Sequence, residues 1–293
     1  MTNAGSGARL WIIGARPRTL PAAVVPVCVG TATVAAETLV PWRFAAAMVV
    51  ALALQVATNY ANDYSDGVRG TDEDRVGPLR LVGSGAASPG AVKRAMFAAF
   101  AVAAAVGLLL AVAVTPWLIV VGVLSIAAGW FYTGGPNPYG YLGLGEVFVF
   151  VFFGLVATVG SAFVQVERID ETALALAVPV GLLATALLVV NNLRDRSGDA
   201  GAGKRTVAVR IGDRATRALY LAMVLGAFVV VAAVAVAGDR GWVALGLLGA
   251  IPVAPAVRVV LQGAEGRPLI SALEATGQAH LVTGLGLSVG LII

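Results

Sequence analysis

The sequence is poor in charged residues and has almost no cysteine or histidine. Only 12% of its 293 residues are charged, and it has one Cys and one His. A soluble domain carries about a quarter charged residues, so this composition argues against a water-soluble enzyme, a disordered chain or a coiled coil. The single cysteine, Cys28, lies in an apolar run and cannot form a disulfide framework within the chain.

Long apolar runs take the place of the missing charge. Hydrophobic residues make up 59% of the chain, and a bilayer core needs about 20 apolar residues per helix. Nine runs are predicted to cross a membrane: about 20–38, 42–61, 93–114, 117–133, 145–165, 172–193, 217–237, 241–261 and 272–293. Strands of a membrane barrel are about ten residues long. We therefore expect an all-α, multi-pass protein whose first run is a span and not a cleaved signal peptide.

The basic residues predict the orientation in the membrane. Eighteen Arg and two Lys, against sixteen Asp and Glu, give a net charge of +4. The connections after spans 1, 3, 5 and 7 contain only Arg43, Arg168 and Arg240, and the other seventeen Lys and Arg lie on the opposite side. An excess of Lys and Arg marks the cytoplasmic side. We expect a plasma-membrane protein with its N-terminus in the cytoplasm and its C-terminus outside, and this distribution indicates membrane topology and not a nucleic-acid partner.

The scarce acidic residues concentrate in two similar stretches on the predicted cytoplasmic face. Seven of the sixteen lie within 59–74, where span 2 ends, and 191–199, where span 6 ends. Asn62-Asp63-x-x-Asp66 is matched by Asn191-Asn192-x-x-Asp195 four spans later. Residues three or four apart share one face of a helix. The two stretches therefore resemble a weak internal repeat that places two acidic clusters opposite each other.

Carboxylates crowded near lipid need a compensating cation or a water-filled cavity. Oxygen ligands without nearby His or Cys favour Mg²⁺ or Ca²⁺, and Mg²⁺ usually takes one or two carboxylates and completes its shell with water and phosphates. The clusters therefore predict a site for a diphosphate held through Mg²⁺. The alternative, ordinary solvated helix ends, does not explain the matched spacing. A nucleotide P-loop at 198–205 is rejected because Arg205 stands where Ser or Thr is required and no strand precedes it.

Several motifs resemble the UbiA superfamily of intramembrane aromatic prenyltransferases. They are Arg16-Pro17-Arg18-Thr19-Leu20-Pro21, Asn62-Asp63-Tyr64-Ser65-Asp66-Gly67, the segment from Gly77 to Gly85, Tyr132-Thr133-Gly134-Gly135-Pro136, the segment from Tyr139 to Glu146, and Asn191 to Asp199 followed by Gly203-Lys204-Arg205-Thr206. The Gly-Pro-x-Arg-Leu and Tyr-Thr-Gly-Gly-Pro segments are similar to the branch that prenylates 1,4-dihydroxy-2-naphthoate in menaquinone biosynthesis.

The resemblance implies a single domain over residues 1–293, with nine transmembrane helices around a central cavity that opens laterally to lipid. Cytoplasmic loops at about 62–92, 134–144 and 194–216 are expected to cap the site. Mg²⁺ on the two Asp motifs would hold a polyprenyl diphosphate. The prenyl group would then pass to 1,4-dihydroxy-2-naphthoate with loss of diphosphate and CO₂, which gives demethylmenaquinol.

The matching positions supply the expected site residues. The residues expected to be catalytic are Asp66, Asp195, Asp199, Lys204 and Glu146. The expected Mg²⁺ ligands are Asp63, Asp66, Asp72, Asp195 and Asp199. The expected diphosphate-binding residues are Arg16, Asn59, Asn62, Arg69, Arg80, Asn191, Lys204 and Arg205. The aromatic side chains expected to shield the allylic cation or hold the acceptor are Tyr60, Tyr64, Phe131 and Tyr132, with an interfacial aromatic belt as the alternative.

Two positions depart from the superfamily pattern. The first motif usually reads Asn-Asp-x-x-Asp-x-x-x-Asp, but Gly70 stands at its last position and the next acid is Asp72. The second motif begins with Asn192 in place of Asp, while Asp195 and Asp199 match directly. Glu146 is expected to deprotonate or orient a ring hydroxyl of the acceptor.

Two other functions fit parts of the pattern. A cation-coupled secondary transporter also has intramembrane acids and a weak repeat, but its acids are expected at the midplane and not at one face. A prenyltransferase acting on 4-hydroxybenzoate or another aromatic acceptor would keep the same diphosphate site. The pattern does not specify the prenyl length, the naphthoate contacts or the oligomeric state.

Overall fold

The computed structural model describes residues 4–70, 79–238 and 240–293. Within these ranges every regular element is helical. The α-helices, numbered in chain order, are α1 (Ala4–Ala15), α2 (Pro21–Val34), α3 (Pro41–Arg69), α4 (Pro89–Ala113), α5 (Trp117–Phe131), α6 (Gly145–Val149), α7 (Ala157–Val166), α8 (Glu171–Gly201), α9 (Val207–Ala237), α10 (Ala250–Leu261) and α11 (Pro268–Ile292).

Shorter segments of other helical types connect or extend these helices. A π-helical segment, Phe150–Val156, joins α6 to α7 so that the helical path continues from Gly145 to Val166. A 3₁₀ segment, Gly241–Gly249, leads directly into α10. Two further 3₁₀ turns, Pro17–Thr19 and Tyr139–Leu142, lie in connections on the predicted cytoplasmic side.

The expectation of an all-helical membrane protein is confirmed. In the described part of the chain six helices are long and apolar enough to cross a membrane, and the count is seven if Gly7–Thr19 and Pro21–Val34, bent by 53°, form one span. Each of the nine predicted runs overlaps a helical segment. However, α5 is an apolar helix of only 15 residues, and α11, with 25 residues, is not among the six. Length and composition therefore support a multi-pass bundle without fixing nine crossings.

Small residues let the helices pack closely around the centre. A Cβ added to Gly30 of α2 would lie 1.9 Å from the Thr158 carbonyl oxygen of α7, and one added to Gly290 of α11 would lie 2.0 Å from the Trp242 carbonyl oxygen. No side chain fits at such distances. Close approach through small residues is how membrane helices gain van der Waals contact where lipid offers no hydrophobic driving force.

Two long helices carry the acidic motifs beyond the apolar part of the bundle. Helix α3 continues through Arg69 and α8 through Gly201, so the expected cap loops at 62–92 and 194–216 begin as helix. Helix α3 ends at Gly70, whose φ of 71° is left-handed and suits glycine. Both motifs are therefore rigid, and their residues keep helical spacing.

Candidate active site

A cavity of about 1870 Å³ runs through the bundle. Its wall includes residues of α2, α3, α4, α5, α7, α8 and α11. Along α3 the lining residues follow helical spacing and include Val50, Leu54, Thr58, Asn62 and Asp66. The wall therefore changes along one helix from apolar to polar and finally to acidic. A ligand with a long hydrocarbon part and an anionic head matches this order.

Asp66 lies at the centre of the polar end. Its side chain is 5% exposed and lies 3.2 Å from the Lys204 ammonium and 3.5 Å from the Arg80 guanidinium. The Tyr141 hydroxyl donates to the same carboxylate at 2.5 Å. Lys204 and Arg80 are themselves buried and line the cavity. A buried carboxylate requires ion pairs and hydrogen bonds of this kind to offset the loss of hydration.

The second acidic motif lines the same cavity, as predicted. The Arg194 guanidinium forms two hydrogen bonds of 2.7 Å to Asp195 and donates to Asn191 at 2.9 Å. Asp195, Asp199, Asn191 and Arg194 all line the cavity. Asp66 and Asp195, which are far apart in sequence, therefore face one space. Among the described residues no group of three His, Cys, Asp or Glu side chains is close enough to hold a metal by itself.

This donor set fits Mg²⁺ bound together with a phosphate ligand. Its protein donors are carboxylates and amides without sulfur or imidazole, the type that hard cations prefer. Mg²⁺ is usually held by one or two carboxylates plus substrate phosphates. The cavity is lined by carboxylates from two helices, α3 and α8, and a buried cation is paired with Asp66 and another with Asp195. The residues therefore suit a metal–diphosphate complex better than a metal ion alone.

Tyr141 connects three segments at the polar end of the cavity and was not among the predicted site residues. In addition to its bond with Asp66, its ring lies 4.7 Å from the Lys204 ammonium and 5.3 Å from the Arg69 guanidinium. The Arg205 amide donates to the Tyr141 carbonyl at 2.9 Å. Tyr141 therefore holds the loop after α5 against the ends of α3 and α8. The sequence signal was present, since the tyrosine lies in the motif that ends at Glu146.

Arg194 is the other residue missing from the prediction. It lies between Asn191 and Asp195 on α8, and its side chain is almost fully buried. From the sequence alone, an arginine inside an acidic motif is most simply interpreted as a counter-ion for the neighbouring carboxylate. The position of Arg194 on the cavity wall follows from the tertiary structure and places its charge beside the cavity.

Asp63 lies away from the cavity wall and supports the chain segment after 78. Its two carboxylate oxygens accept the amides of Leu81 and Val82 at 2.8 and 2.9 Å, and the residue is fully buried. This arrangement positions Arg80 beside Asp66. The expected metal role of Asp63 stays a prediction, and the observed contacts give it a positioning role. Asp72, the other expected ligand of the first motif, lies outside the described residues.

Glu146 is buried behind the cavity wall. Its Oε1 accepts a hydrogen bond from the Asn192 side-chain amide at 3.0 Å. Asn192 lines the cavity, whereas Glu146 is not among the described lining residues. The second oxygen of Glu146 is buried without a hydrogen-bond partner among the described residues. Glu146 therefore contacts the cavity wall through Asn192, and its expected contact with an acceptor hydroxyl stays a prediction.

The expected cation-shielding residues divide into two groups. Tyr132 lines the cavity, whereas Tyr60, Tyr64 and Phe131 are not among its described lining residues. The helical period explains the difference on α3, because positions 60 and 64 are rotated away from the face of 59, 62 and 66. The Tyr60 hydroxyl instead donates to the Trp11 carbonyl at 2.9 Å, and Tyr64 packs beneath the Lys93 ammonium at 5.5 Å.

An aromatic stack continues from Tyr132 along the cavity. The Tyr132 and Tyr139 rings meet edge to face at 5.5 Å, and Tyr139 stacks on Phe148 at 3.9 Å. All three line the cavity. Burial raises the pKa of Tyr139 above its ordinary value. The phenol rings of Tyr132 and Tyr139 offer the negative π-face that attracts a cation.

The remaining expected diphosphate-binding residues also divide. Those that line the cavity are Arg16, Asn59, Asn62, Arg80, Asn191 and Lys204. Arg69 donates instead to the carbonyls of Thr133 and Gly135, which fixes the loop after α5. Arg205 is exposed and is not on the described cavity wall. Lys204 and Arg205 are adjacent in the connection after α8, and only Lys204 is buried and lines the cavity.

Comparison with known proteins agrees with this geometry. Residues 23–273 match the UbiA prenyltransferase family. The chain is 48% identical over 279 residues to a 1,4-dihydroxy-2-naphthoate octaprenyltransferase from Mycobacterium tuberculosis, covering 95% of each chain. It is 34% identical over 303 residues to a protein of the same name from Escherichia coli, covering 98% of this chain and 96% of that one.

Solved structures share the fold at low sequence identity. The apo UbiA homolog from Aeropyrum pernix K1 matches with a TM-score of 0.72 and 16% identity, covering 92% of this chain and 97% of that chain. The UbiA homolog from Archaeoglobus fulgidus, bound to DMAPP and Mg²⁺, matches with a TM-score of 0.68 and 14% identity, covering 96% of this chain and 98% of that chain. The matched length, the identity to these relatives and the shared fold show that the chain belongs to the UbiA prenyltransferase family.

Proposed function

We propose that this protein transfers a polyprenyl group from polyprenyl diphosphate to 1,4-dihydroxy-2-naphthoate, with release of diphosphate and CO₂, to give demethylmenaquinol. One observation carries the proposal: a single cavity is lined by Asp66, by Asp195 and by a long apolar wall. The relatives named for naphthoate prenylation, which align over nearly the whole chain, support the choice of acceptor.

The ion pairs of the two acidic motifs suggest how the site binds diphosphate. Asp66 is paired with Lys204 and Arg80, and Asp195 with Arg194. When Mg²⁺ occupies the carboxylates, these cations can turn to the diphosphate oxygens without leaving a buried charge unpaired. Bound Mg²⁺ supplies Lewis-acid stabilisation of charge on the leaving group. The ligands we propose are Asp66, Asp195 and Asp199, with the Asn62, Asn191 and Asn192 amides beside them.

The protein's own residues then support transfer in a dry cavity. The bond between the allylic carbon and the diphosphate oxygen breaks, and its electron pair leaves with the diphosphate, held by Lys204, Arg80 and Arg194. The ring carbon that bears the carboxylate attacks the allylic carbon. That carboxylate departs as CO₂, and its bonding electrons restore the aromatic ring. The Tyr132 and Tyr139 rings face the developing cation, and the apolar wall excludes the water that would capture it.

We further propose that Glu146 orients Asn192. The Asn192 amide nitrogen donates to Glu146, so the Asn192 carbonyl oxygen is left for the cavity, where it can face the metal complex. Glu146→Gln keeps a side-chain oxygen that can accept this hydrogen bond, whereas Glu146→Leu leaves no acceptor. We expect Glu146→Gln to retain most metal-dependent activity and Glu146→Leu to raise the Mg²⁺ concentration needed for half-maximal activity. Equal Mg²⁺ dependence of both variants would contradict the orienting role.

For the membrane arrangement we propose nine crossings in the plasma membrane, with the acidic ends on the cytoplasmic side. The distribution of Lys and Arg supports this orientation. It requires α5 and α11 to cross in addition to the seven spans supported by length and composition. Reporters fused after α7 and after Ile293 would be expected to report the outer side, and cytoplasmic activity of the C-terminal fusion would contradict the topology.

The direct test of function uses purified protein with radiolabelled polyprenyl diphosphate and Mg²⁺. We expect prenylated product with 1,4-dihydroxy-2-naphthoate and much less with 4-hydroxybenzoate. Equal use of hydroxybenzoate would move the assignment to another branch of the family. An absence of transfer together with cation-driven uptake in vesicles would support the transporter alternative.

A further inference from the structure

We infer that Gln55 binds a hydroxyl group of the aromatic acceptor, in a subsite on α3 below the diphosphate site. The inference rests on the proposed function for the identity of the acceptor. It starts from a small polar network of Gln55, Asn59 and Thr19, of which only Asn59 is also expected to bind the diphosphate. Gln55 is 7% exposed and lines the cavity.

Hydrogen-bond partners fix which way the two amides point. The Ala15 carbonyl can only accept, so the Asn59 atom 2.8 Å from it must be the nitrogen. The Asn59 oxygen then faces Gln55, and the Gln55 atom 3.3 Å from it must also be a nitrogen. The orientation of Gln55 therefore follows from a backbone carbonyl and does not depend on a free choice of amide rotamer.

Thr19 completes the network. Its hydroxyl donates to the Arg16 carbonyl at 2.9 Å and accepts from Asn59 at 2.9 Å and from Gln55 at 3.1 Å. Both hydrogens of the Gln55 amide are thus used within the protein. Its oxygen Oε1 is buried and has no hydrogen-bond partner among the described residues. A buried acceptor without a partner is unfavourable, so a bound group that supplies an O–H or N–H donor is favoured here.

Only one of the two substrates carries such a donor. The polyprenyl chain is hydrocarbon, and the ionised diphosphate only accepts hydrogen bonds. The dihydroxylated acceptor ring has hydroxyl donors. Asp66 lies eleven positions after Gln55, a rise of about 16 Å along the helix at 1.5 Å per residue. That separation leaves room for the allylic carbon and a bicyclic ring between the carboxylates and the Gln55 oxygen.

The test pairs a change in the protein with a change in the ligand. Binding constants of 1,4-dihydroxy-2-naphthoate are compared with those of 1-hydroxy-2-naphthoate and 4-hydroxy-2-naphthoate, each of which lacks one hydroxyl. We expect wild-type protein to bind one of these analogues about tenfold more weakly than the full acceptor, as for the loss of one buried hydrogen bond. In Gln55→Leu the ratio of the analogue's dissociation constant to that of the full acceptor should fall to near one, because the oxygen that accepts the hydrogen bond from the hydroxyl is absent.

Thr19→Val is the matched control for damage to the network. It removes the hydroxyl that organises Gln55 and Asn59 but leaves the Gln55 oxygen in place, so the preference for the full acceptor should persist even if the folded fraction falls. The KM for polyprenyl diphosphate should change less than twofold in Gln55→Leu. An unchanged ratio in Gln55→Leu would overturn the subsite. Wild-type protein that transfers no prenyl group to the naphthoate would instead refute the proposed function.

Discussion

The contact between Tyr141 and Asp66 gives the sharpest prediction about the site. Tyr141→Phe removes one hydroxyl, which donates at 2.5 Å to a carboxylate that is 5% exposed. The substitution keeps the ring beside the Lys204 ammonium and the Arg69 guanidinium. The expected effect therefore belongs to the hydrogen bond alone.

The magnitude follows from the charge of the acceptor. A hydrogen bond to a charged group contributes about 1.5–3 kcal/mol, and each 1.4 kcal/mol corresponds to about a factor of ten. If Asp66 must be held in this position to receive the metal–diphosphate complex, kcat/KM for polyprenyl diphosphate should fall by roughly tenfold to a hundredfold. The KM for the naphthoate should change little, since Tyr141 lies at the diphosphate end. Tyr141→Leu should lose more, because each cation–π contact adds about 0.5–2 kcal/mol.

The assay is steady-state prenyl transfer in detergent with each substrate varied in turn. Tyr64→Phe serves as the matched control, since Tyr64 lies on α3 near Asp66 but is not on the described cavity wall. We expect its kcat/KM to stay within twofold of wild type. If Tyr141→Phe were as active as Tyr64→Phe, the reasoning that makes Tyr141 part of the site would be refuted.

Three further predictions follow from other contacts. Asp66→Asn and Asp195→Asn should each abolish transfer while the protein remains in the membrane, and chelation with EDTA should do the same to wild type; full turnover after either treatment would argue against a metal–diphosphate site. Asp63→Ala removes two hydrogen bonds to backbone amides and should lower the free energy of unfolding by roughly 3 kcal/mol, seen as a lower Tm, whereas an unchanged Tm would contradict its positioning role. Burial raises the pKa of Tyr139, so above pH of about 10 the unfolded chain releases a proton that the folded protein keeps, and Tm should fall as pH rises; Tyr139→Phe should reduce that fall, and an equal fall would oppose the assignment.

Much of the fold could be predicted because the membrane imposes simple rules on the sequence. Apolar runs of membrane length had to be helices, and each predicted run overlaps a helical segment. The repeat of Asn and Asp at helical spacing placed Asp66 and Asp195 on inward faces, and both line one cavity. The exact number of crossings could not be derived. Helix α5 is short, and the first apolar run, in α2, is joined to α1 through a bend.

The site was harder to predict where tertiary contacts decide a side chain's role. Asp63 belongs to the acidic motif in sequence, yet it binds the Leu81 and Val82 amides because its helix face points toward the returning chain. Glu146 likewise reaches the cavity only through Asn192. Gln55 gave no signal in the sequence, since its significance depends on which of its atoms the Asn59 and Thr19 contacts leave unused.

The central claim is that the ends of α3 and α8 together hold a metal–diphosphate complex. Binding of Mn²⁺ in place of Mg²⁺, followed by electron paramagnetic resonance with a slowly reacting prenyl thiodiphosphate present, measures this directly. We expect wild-type protein to bind Mn²⁺ tightly only when the thiodiphosphate is present, and both Asp66→Asn and Asp195→Asn to lose that binding. Retention of wild-type Mn²⁺ affinity in either variant would contradict the claim that both helices contribute to one site.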